Sequence, residues 1–136
     1  MNLYNSNVYM SDVETIANLD YTWDKLKDKK IAISGATGMI GSFLIDVLMY
    51  RNERYNQNTD IYAFGRNEEK AKKRFSDFFS KKNFRFVNQD INLPINEKIS
   101  EGKMDYIIHA ASNTHPVAYA SDPIGTISAN VIINIH

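Results

Sequence analysis

The sequence contains no cysteine, no surplus of either charge and no apolar run of membrane-spanning length. Without cysteine the chain can form neither a disulfide framework nor a thiolate metal site, which fits a reducing cytosol. Its 16 basic side chains are balanced by 16 acidic ones, so the net charge favours neither nucleic acid nor an anionic membrane as a partner. The polar first residues predict no signal peptide.

The composition that is present suits one folded domain. The 136 residues are 43% hydrophobic and 24% charged, which argues against disorder and against two domains. We divide the chain into a polar N-terminal lead with a short helix, residues 1–29, and a domain over residues 30–136. In the lead, Ser11 and Glu14 have the spacing of a capping box and predict where the helix begins. We expect a soluble, cytoplasmic protein.

Residues 30–136 alternate between short apolar runs and segments of helical spacing. The apolar runs predict buried parallel strands at Lys30–Ser34, Asp60–Phe64, Phe84–Val87 and Met104–His109. Helices are predicted over residues 40–48, from an N-cap at Asn67, and over residues 124–135. This order predicts an α/β fold, a Rossmann-type parallel sheet with helices on both faces that ends after about four strands.

Helical spacing also predicts which faces of these helices are buried. In the first, the apolar face consists of Ile40, Phe43, Leu44, Val47 and Leu48. In the second, it consists of Ala71, Phe75, Phe78 and Phe79. The basic residues of the second helix, Lys70, Lys72, Lys73 and Arg74, are predicted to form a solvated face rather than a polyanion site.

A glycine-rich turn lies where the first strand meets the first helix of the domain. Ser34–Gly41 has the spacing G-x-x-G-x-x-G, one residue different from the dinucleotide fingerprint G-x-G-x-x-G. Gly35 would permit a tight turn, Gly38 would let backbone amides approach a pyrophosphate, and Gly41 would let the helix lie close to the strand. The helix N-terminus adds N–H groups and partial positive charge. The strand-to-helix context favours a dinucleotide site over a turn that binds nothing.

These residues resemble the extended short-chain dehydrogenase/reductase family, also described as NAD-dependent epimerases and dehydratases. Ser34–Gly41 matches its T/S-G-x-x-G-x-x-G turn, and Asp90 with Ile91 follows the third strand as in the family. Asp105–Ser112 is similar to the D-x-x-I-H-x-A-A strand end, and Tyr119–Val131 to a segment with the pattern P-x(6)-N-V. That last segment looks most like the nucleotide-sugar branch, which includes UDP-glucuronate decarboxylases and sugar-nucleotide dehydratases.

The resemblance implies a bound nicotinamide dinucleotide and, in the intact enzyme, a nucleotide-sugar substrate. The positions it implies for the cofactor are Gly35, Thr37, Gly38, Met39, Ile40, Gly41, Arg66, Asn67, Asp90, Ile91, Ala110, Ala111, Ser112 and Asn130. We predict no metal site, because His115 and His136 have no second ligand at metal-site spacing. His109 is predicted to be a buried, hydrogen-bonded histidine rather than an acid–base catalyst.

The end of the second strand bears on the choice between NAD and NADP. NAD-specific sites place an acid there to bind the ribose hydroxyls, whereas this sequence has Gly65 followed by Arg66 and Asn67. Without a carboxylate a 2′-phosphate is not repelled, and Arg66 can pair with it. We therefore predict NADP in preference to NAD. The alternative is that Arg66 is only a loop residue.

The resemblance also implies a catalytic Ser/Thr with a Tyr-x-x-x-Lys pair beyond the fourth strand. The one match to that pair in the chain, Tyr21–Lys25, precedes the glycine-rich turn, so we reject it. We expect a truncated, cofactor-binding portion of an enzyme, inactive alone. Two alternatives stay open: a non-catalytic dinucleotide sensor, and a fragment of a thioester reductase-like relative. A sheet ending at the fourth strand would leave an apolar edge, Tyr106–Ile108, for pairing with a second copy.

Overall fold

A computed structural model of the protein describes residues 2–94, 103–112 and 116–131. The helices are α1 (Asn7–Ala17), α2 (Met39–Tyr55), α3 (Glu68–Arg74), α4 (Pro116–Ser121) and α5 (Pro123–Val131). The strands are β1 (Lys30–Ser34), β2 (Asp60–Gly65), β3 (Phe84–Asn88) and β4 (Tyr106–His109). The predicted strand limits are confirmed to within about two residues. The end of the last predicted helix, residues 132–135, lies outside the described residues.

The described strands form one parallel sheet in the order β3-β2-β1-β4. In the register of the sheet, Ile33 of β1 lies beside Ala63 of β2 and Ile108 of β4. Parallel neighbours cannot be joined by tight turns, and α2 and α3 lie in the connections from β1 to β2 and from β2 to β3. The predicted Rossmann-type α/β fold is confirmed. Because the strands run in one direction, their carboxyl ends meet at one edge of the sheet.

The two faces of the sheet bury alternate residues of the strands. On one face the core contains Ile31, Ile33, Ile61 and Ala63, packed with residues of α2 and with Phe75, Phe78 and Phe84. On the other face it contains Ala32, Tyr62, Phe64 and Val87, against which Ile91 and Met104 are partly buried. This alternation is what the two-residue period of a strand requires when both faces are covered.

α2 is covered on two sides. Leu48 and Met49 contribute to the core beneath the sheet, while Val47 packs against Val13 of α1. Ile40, which the sequence pattern places on the buried face, is 63% exposed. That part of the prediction is wrong because Ile40 lies in the first turn of α2, where Met39 is exposed as well, whereas Val47 and Leu48 farther along the same face are buried.

α1 begins earlier than the sequence predicts. The Oγ of Ser6 accepts a hydrogen bond from the backbone N–H of Tyr9 at 3.3 Å, so Ser6 is the N-cap. Ser11 and Glu14 lie inside the helix. The predicted capping box is therefore wrong, because an upstream serine already satisfies a backbone donor of the first turn.

α3 is shorter than its pattern suggests. The helix ends at Arg74, and the chain continues through turns. Phe75 and Phe78 are buried, but Phe79 is 38% exposed. The predicted buried face is thus wrong at Phe79, because helical spacing no longer applies beyond the end of the helix.

An ion pair between α2 and α3 anchors the N-terminal lead. Asp46 of α2 is 3% exposed and pairs with Arg74, and the hydroxyls of Tyr4 and Tyr9 donate to its carboxylate. Arg74 in turn donates to both hydroxyls at 2.8 Å. Burial, reinforced by Asp46, raises the pKa of both tyrosines, so they hold their protons. The predicted solvated face is therefore wrong for Arg74, whose charge compensates a buried carboxylate.

Candidate dinucleotide site

A cavity of about 380 Å³ lies at the carboxyl-end edge of the sheet. Each strand contributes to its wall, through Gly35 after β1, Gly65 at the end of β2, Gln89 after β3 and Ala110 after β4. In open parallel sheets, ligands bind at this edge where the strand order reverses. Here the order reverses between β1 and β4, beside Gly35 and Ala110.

The glycine-rich turn brings backbone segments into close contact. Gly35 has a φ of +66°, and a Cβ built there would lie 2.6 Å from the carbonyl oxygen of Ala110. A Cβ at Gly41 would lie 2.4 Å from the carbonyl oxygen of Gly35. The end of β1, the start of α2 and the segment after β4 therefore fit together only if these two positions lack side chains. The tight turn predicted at Gly35 and the close helix packing predicted at Gly41 are both present.

The start of α2 supplies backbone donors beside the cavity. Gly38 is its N-cap and lines the cavity. The N–H of Ser42 donates to the carbonyl of Gly38 at 3.0 Å, which is the first bond of the helical ladder. The amides before it, at Met39, Ile40 and Gly41, have no carbonyl partner within the helix. A helix N-terminus of this kind attracts anions through its N–H groups and its dipole.

The structure brings most of the predicted cofactor positions together. Those that line the cavity are Gly35, Thr37, Gly38, Arg66, Asp90, Ile91, Ala110, Ala111 and Ser112. The others lie around it. Met39 and Ile40 have exposed side chains, and Gly41 lies at the end of the glycine-rich turn. The Oδ1 of Asn67 caps α3 by accepting a hydrogen bond from the backbone N–H of Lys70 at 2.8 Å. The amide of Asn130 donates to the Oγ of Ser112 at 3.2 Å and so joins α5 to the cavity wall.

Further residues line the cavity that the sequence did not indicate as contacts: Phe64, Gly65, Lys70, Gln89, Asn92, Asp122 and Gly125. Some of them had recognisable signals. Asn92 lies two residues after Asp90. The backbone N–H and the side-chain amide of Asn92 both donate to the Oδ1 of Asp90 at 2.9 Å, which is the pattern of an Asx turn. The Oδ1 of Asp122 accepts from the N–H of Gly125 at 2.9 Å. Lys70 was hidden within a basic run whose spacing suggested solvent.

The charges at the end of β2 are unevenly paired. Lys72 pairs with Glu68 and Glu69, at N–O distances of 3.1 and 3.7 Å, and its hydrogen bond and charge interaction with Glu68 raise the pKa of the lysine. Arg66 and Lys70 form no ion pair with any residue in the described ranges. Lys72 thus engages both acidic residues of α3, while Arg66 and Lys70 remain as two cations on the cavity wall.

His109 joins the two central strands. Its Nδ1 lies 2.7 Å from the Oγ of Ser34, which is 8% exposed, and these residues are partners in the β1–β4 register. His109 is half-buried and is not part of the cavity wall. The predicted hydrogen-bonded histidine is confirmed, although it is less buried than expected.

The rejected Tyr21–Lys25 match lies at the other edge of the sheet. The hydroxyl of Tyr106, the first residue of β4, donates to the carbonyl of Lys25 at 3.3 Å. Because β4 is parallel to its neighbour, this contact marks the amino-end edge, opposite the cavity. The position of Tyr21–Lys25 supports its rejection as a catalytic pair.

Two kinds of feature do not occur in the described part of the chain. Within residues 2–94, 103–112 and 116–131, no three His, Asp or Glu residues are grouped to hold a metal ion. No helix in those ranges combines the length and apolar character needed to cross a bilayer. His115 and His136 lie outside the described residues.

Comparison with known proteins identifies the family. The model of the NAD dependent epimerase/dehydratase family matches residues 31–136. The chain belongs to this family. Membership implies binding of a nicotinamide dinucleotide, and the resemblance seen in the sequence is confirmed.

Similar curated proteins are UDP-glucuronic acid decarboxylases. Decarboxylase 2 of Arabidopsis thaliana is 32% identical over 79% of this chain, and decarboxylase 1 of Danio rerio is 31% identical over 76%. The chain spans 22% of the length of each, about a fifth.

Solved structures share the fold. Pen from Bacillus thuringiensis is 25% identical, with a TM-score of 0.62 over 81% of this chain and 33% of that one. A short-chain dehydrogenase/reductase from Brucella melitensis is 16% identical, with a TM-score of 0.61 over 81% of this chain and 48% of that one. The second likeness concerns the fold alone.

Proposed function

We propose that residues 30–136 form the cofactor-binding portion of an enzyme that modifies nucleotide sugars. One observation carries this proposal: the cavity at the strand ends has the glycine-rich turn and the start of α2 as its wall. Family membership supports the cofactor class, and the similar UDP-glucuronic acid decarboxylases support a nucleotide-sugar substrate.

In this proposal the diphosphate of the cofactor lies against Gly38 and the amides that open α2. No side chain projects at Gly38, so a phosphate can come within hydrogen-bonding distance of the backbone. The 17-residue length of α2 gives a full helix dipole directed at that point. The adenosine end then lies toward Arg66, Asp90 and Ile91, and the nicotinamide end toward Ala110–Ser112, the rest of the wall.

The charges at the end of β2 support NADP over NAD. Gly65 ends the strand, where an NAD-specific site would place a carboxylate. Arg66 lines the cavity and has no ion-pair partner among the described residues, so its guanidinium is available to a 2′-phosphate. A guanidinium–phosphate pair forms charge-assisted, often bidentate hydrogen bonds. We propose NADP as the preferred cofactor.

Titration of the 136-residue chain with NADP⁺ and NAD⁺ by isothermal calorimetry tests this assignment. We expect NADP⁺ to bind more tightly, and Arg66→Ala to weaken NADP⁺ about tenfold or more, the equivalent of one charge-assisted hydrogen bond. Arg66→Ala should change the affinity for NAD⁺ less than twofold, or by about 0.4 kcal/mol at most, because NAD⁺ carries only a hydroxyl at the 2′ position. Arg54→Ala, near the opposite end of α2, is the matched control. Tighter binding of NAD⁺ would refute the NADP preference, and no binding of either cofactor would refute the site.

We propose further that the chain alone does not convert a nucleotide sugar. Its one Tyr-x-x-x-Lys match, Tyr21–Lys25, lies at the edge of the sheet opposite the cavity. A tyrosine there could not contact a nicotinamide bound in the cavity. Incubation with NADP⁺ or NAD⁺ and UDP-glucuronic acid, followed by chromatography of the nucleotide sugars, should show unchanged substrate. Formation of a new nucleotide sugar would overturn this proposal.

A further inference from the structure

We propose that Tyr4 and Tyr9 of the N-terminal lead are positioning residues for the dinucleotide site, because they fix the two helices whose first turns border the cavity. The inference rests on the proposed function and deepens it. The family model begins at residue 31, so both tyrosines belong to an extension that precedes the matched residues.

The helices in question, α2 and α3, both begin at the carboxyl-end edge of the sheet. Gly38, the N-cap of α2, and Lys70, in the first turn of α3, line the cavity. α3 has only seven residues, and a helix this short depends on tertiary contacts for its stability. Ala71 buries the middle of α3 in the core. A second contact, at the C-terminal end of α3, is needed to fix the direction of the helix.

The second contact is a polar cluster formed by Tyr4, Tyr9, Asp46 and Arg74. Asp46 lies about two turns into α2, and Arg74 is the last residue of α3. Their side chains form an ion pair and are 2% and 14% exposed. A pair this buried has little contact with water, so its remaining hydrogen bonds must come from other groups of the protein.

The two tyrosine hydroxyls provide those bonds. The hydroxyl of Tyr4 lies 2.9 Å from the Oδ1 of Asp46 and 3.2 Å from the carbonyl oxygen of Arg74, a carbonyl at the end of α3 with no partner in the helix. The hydroxyl of Tyr9 donates to the Oδ2 of Asp46 and accepts from the Nη2 of Arg74 at 2.8 Å. Each hydroxyl thus contacts α2 and α3 at once, so its removal loosens one helix relative to the other.

Another hydroxyl contact between the lead and α2 differs in this respect. Tyr50 of α2 donates to the carboxylate of Glu14 in α1 at 3.0 Å, and this bond includes no residue of α3. Its loss weakens the attachment of the lead but leaves the link between α2 and α3 in place. The two sites therefore offer matched variants with the same chemical change, tyrosine to phenylalanine.

Calorimetric titration of the variant Tyr4→Phe/Tyr9→Phe with NADP⁺ and with NAD⁺ tests the inference. We expect both dissociation constants to rise about three- to tenfold, as for residues that act through a packed network. The factor should be similar for the two cofactors, because the helices border the diphosphate that both contain. The control Tyr50→Phe should bind as wild type does.

Two further measurements accompany the titration. Circular dichroism gives the Tm of each variant and a temperature at which all are folded. If the double variant does not fold, Tyr4→Phe and Tyr9→Phe are titrated singly, and each should raise the dissociation constants about two- to threefold. Without ligand, hydrogen exchange of the backbone amides of residues 68–74 should be faster in the tyrosine variants than in Tyr50→Phe.

The outcomes separate this inference from the function on which it rests. A lower Tm with wild-type affinity would mean that the tyrosines only stabilise the domain, which refutes the inference while the site stands. Equal weakening by Tyr50→Phe would refute it as well, because attachment of the lead in general would then set the affinity. Unchanged exchange at residues 68–74 would contradict the loosening of α3. If wild type itself binds neither dinucleotide, the proposed function fails and the inference fails with it.

Discussion

Two glycines of the glycine-rich turn, Gly35 and Gly38, should differ in what they control: the first the stability of the domain, the second the binding of the cofactor. Gly35→Ala should destabilise the domain, because the new Cβ would lie 2.6 Å from the Ala110 oxygen and 2.7 Å from the Ala111 nitrogen. Both are backbone atoms, so no side-chain rotation can relieve the contact. Gly38→Ala should leave the domain folded, because φ there is −76° and the nearest atom to its Cβ, the Gly35 oxygen, is 3.1 Å away.

The magnitude for Gly35→Ala follows from two costs and one offset. A left-handed backbone costs alanine about 1–2 kcal/mol, and forcing β4 away from the turn costs about 1–3 kcal/mol, as in other overpacked sites. Reduced freedom of the unfolded chain returns about 0.4–1 kcal/mol. The net loss in the free energy of unfolding is about 1–4.6 kcal/mol, and the middle of that range corresponds to roughly 10 °C in Tm for a domain of this size.

Thermal unfolding followed by circular dichroism, and calorimetric titration with NADP⁺, measure the two effects. Gly38→Ala should lose less than about 1 kcal/mol of stability but at least about tenfold in affinity, because its methyl group would occupy the space of the diphosphate. A Gly35→Ala protein with the same Tm as wild type would refute the close backbone contact with the segment after β4. Wild-type affinity in a folded Gly38→Ala protein would refute the placement of the diphosphate.

Two further predictions concern the surroundings of the site. Arg74→Ala should lower the free energy of unfolding in urea by about 2–4 kcal/mol, because Asp46 would stay buried with only hydroxyl donors. The control Lys73→Ala should change it by less than about 0.5 kcal/mol. Equal stability of the two variants would contradict the role of the ion pair. Ile107 is 74% exposed on β4, at the edge of the described sheet, and should promote association of two copies. Sedimentation velocity should therefore show less dimer for Ile107→Lys than for wild type. A wild-type protein that is monomeric at every concentration would contradict this proposal.

The strands and the glycine-rich turn could be predicted because their signals are local. A buried parallel strand such as Ile31–Ile33 is apolar on both faces, and that property is visible in a few consecutive letters. The N-cap at Asn67 and the strand-to-helix turn at Ser34–Gly41 likewise depend on neighbouring residues. Each of these features would be recognised in any protein, since no distant residue is needed to produce it.

The failures involve residues whose surroundings come from distant parts of the chain. Arg74 looks like one more exposed cation until Asp46 and Tyr4, 28 and 70 residues away, are brought against it. Ile40 fits the apolar pattern of α2, but it lies in the first turn of the helix, where Met39 is exposed as well. Lys70 is exposed as predicted, but its place on the cavity wall also depends on the ends of β1 and β2 lying side by side. Long-range packing of this kind leaves no periodic signal in the sequence.

The wall of the cavity has two parts that are built differently. At Gly35 and Gly41, main chains touch, so almost any side chain there would disturb three elements at once. Arg66 lies in the connection after β2 and Lys70 in the first turn of α3, and both side chains are exposed. Substitutions at Arg66 and Lys70 could therefore change which dinucleotide the proposed site prefers, while the backbone contacts at Gly35 and Gly41 stayed unaltered.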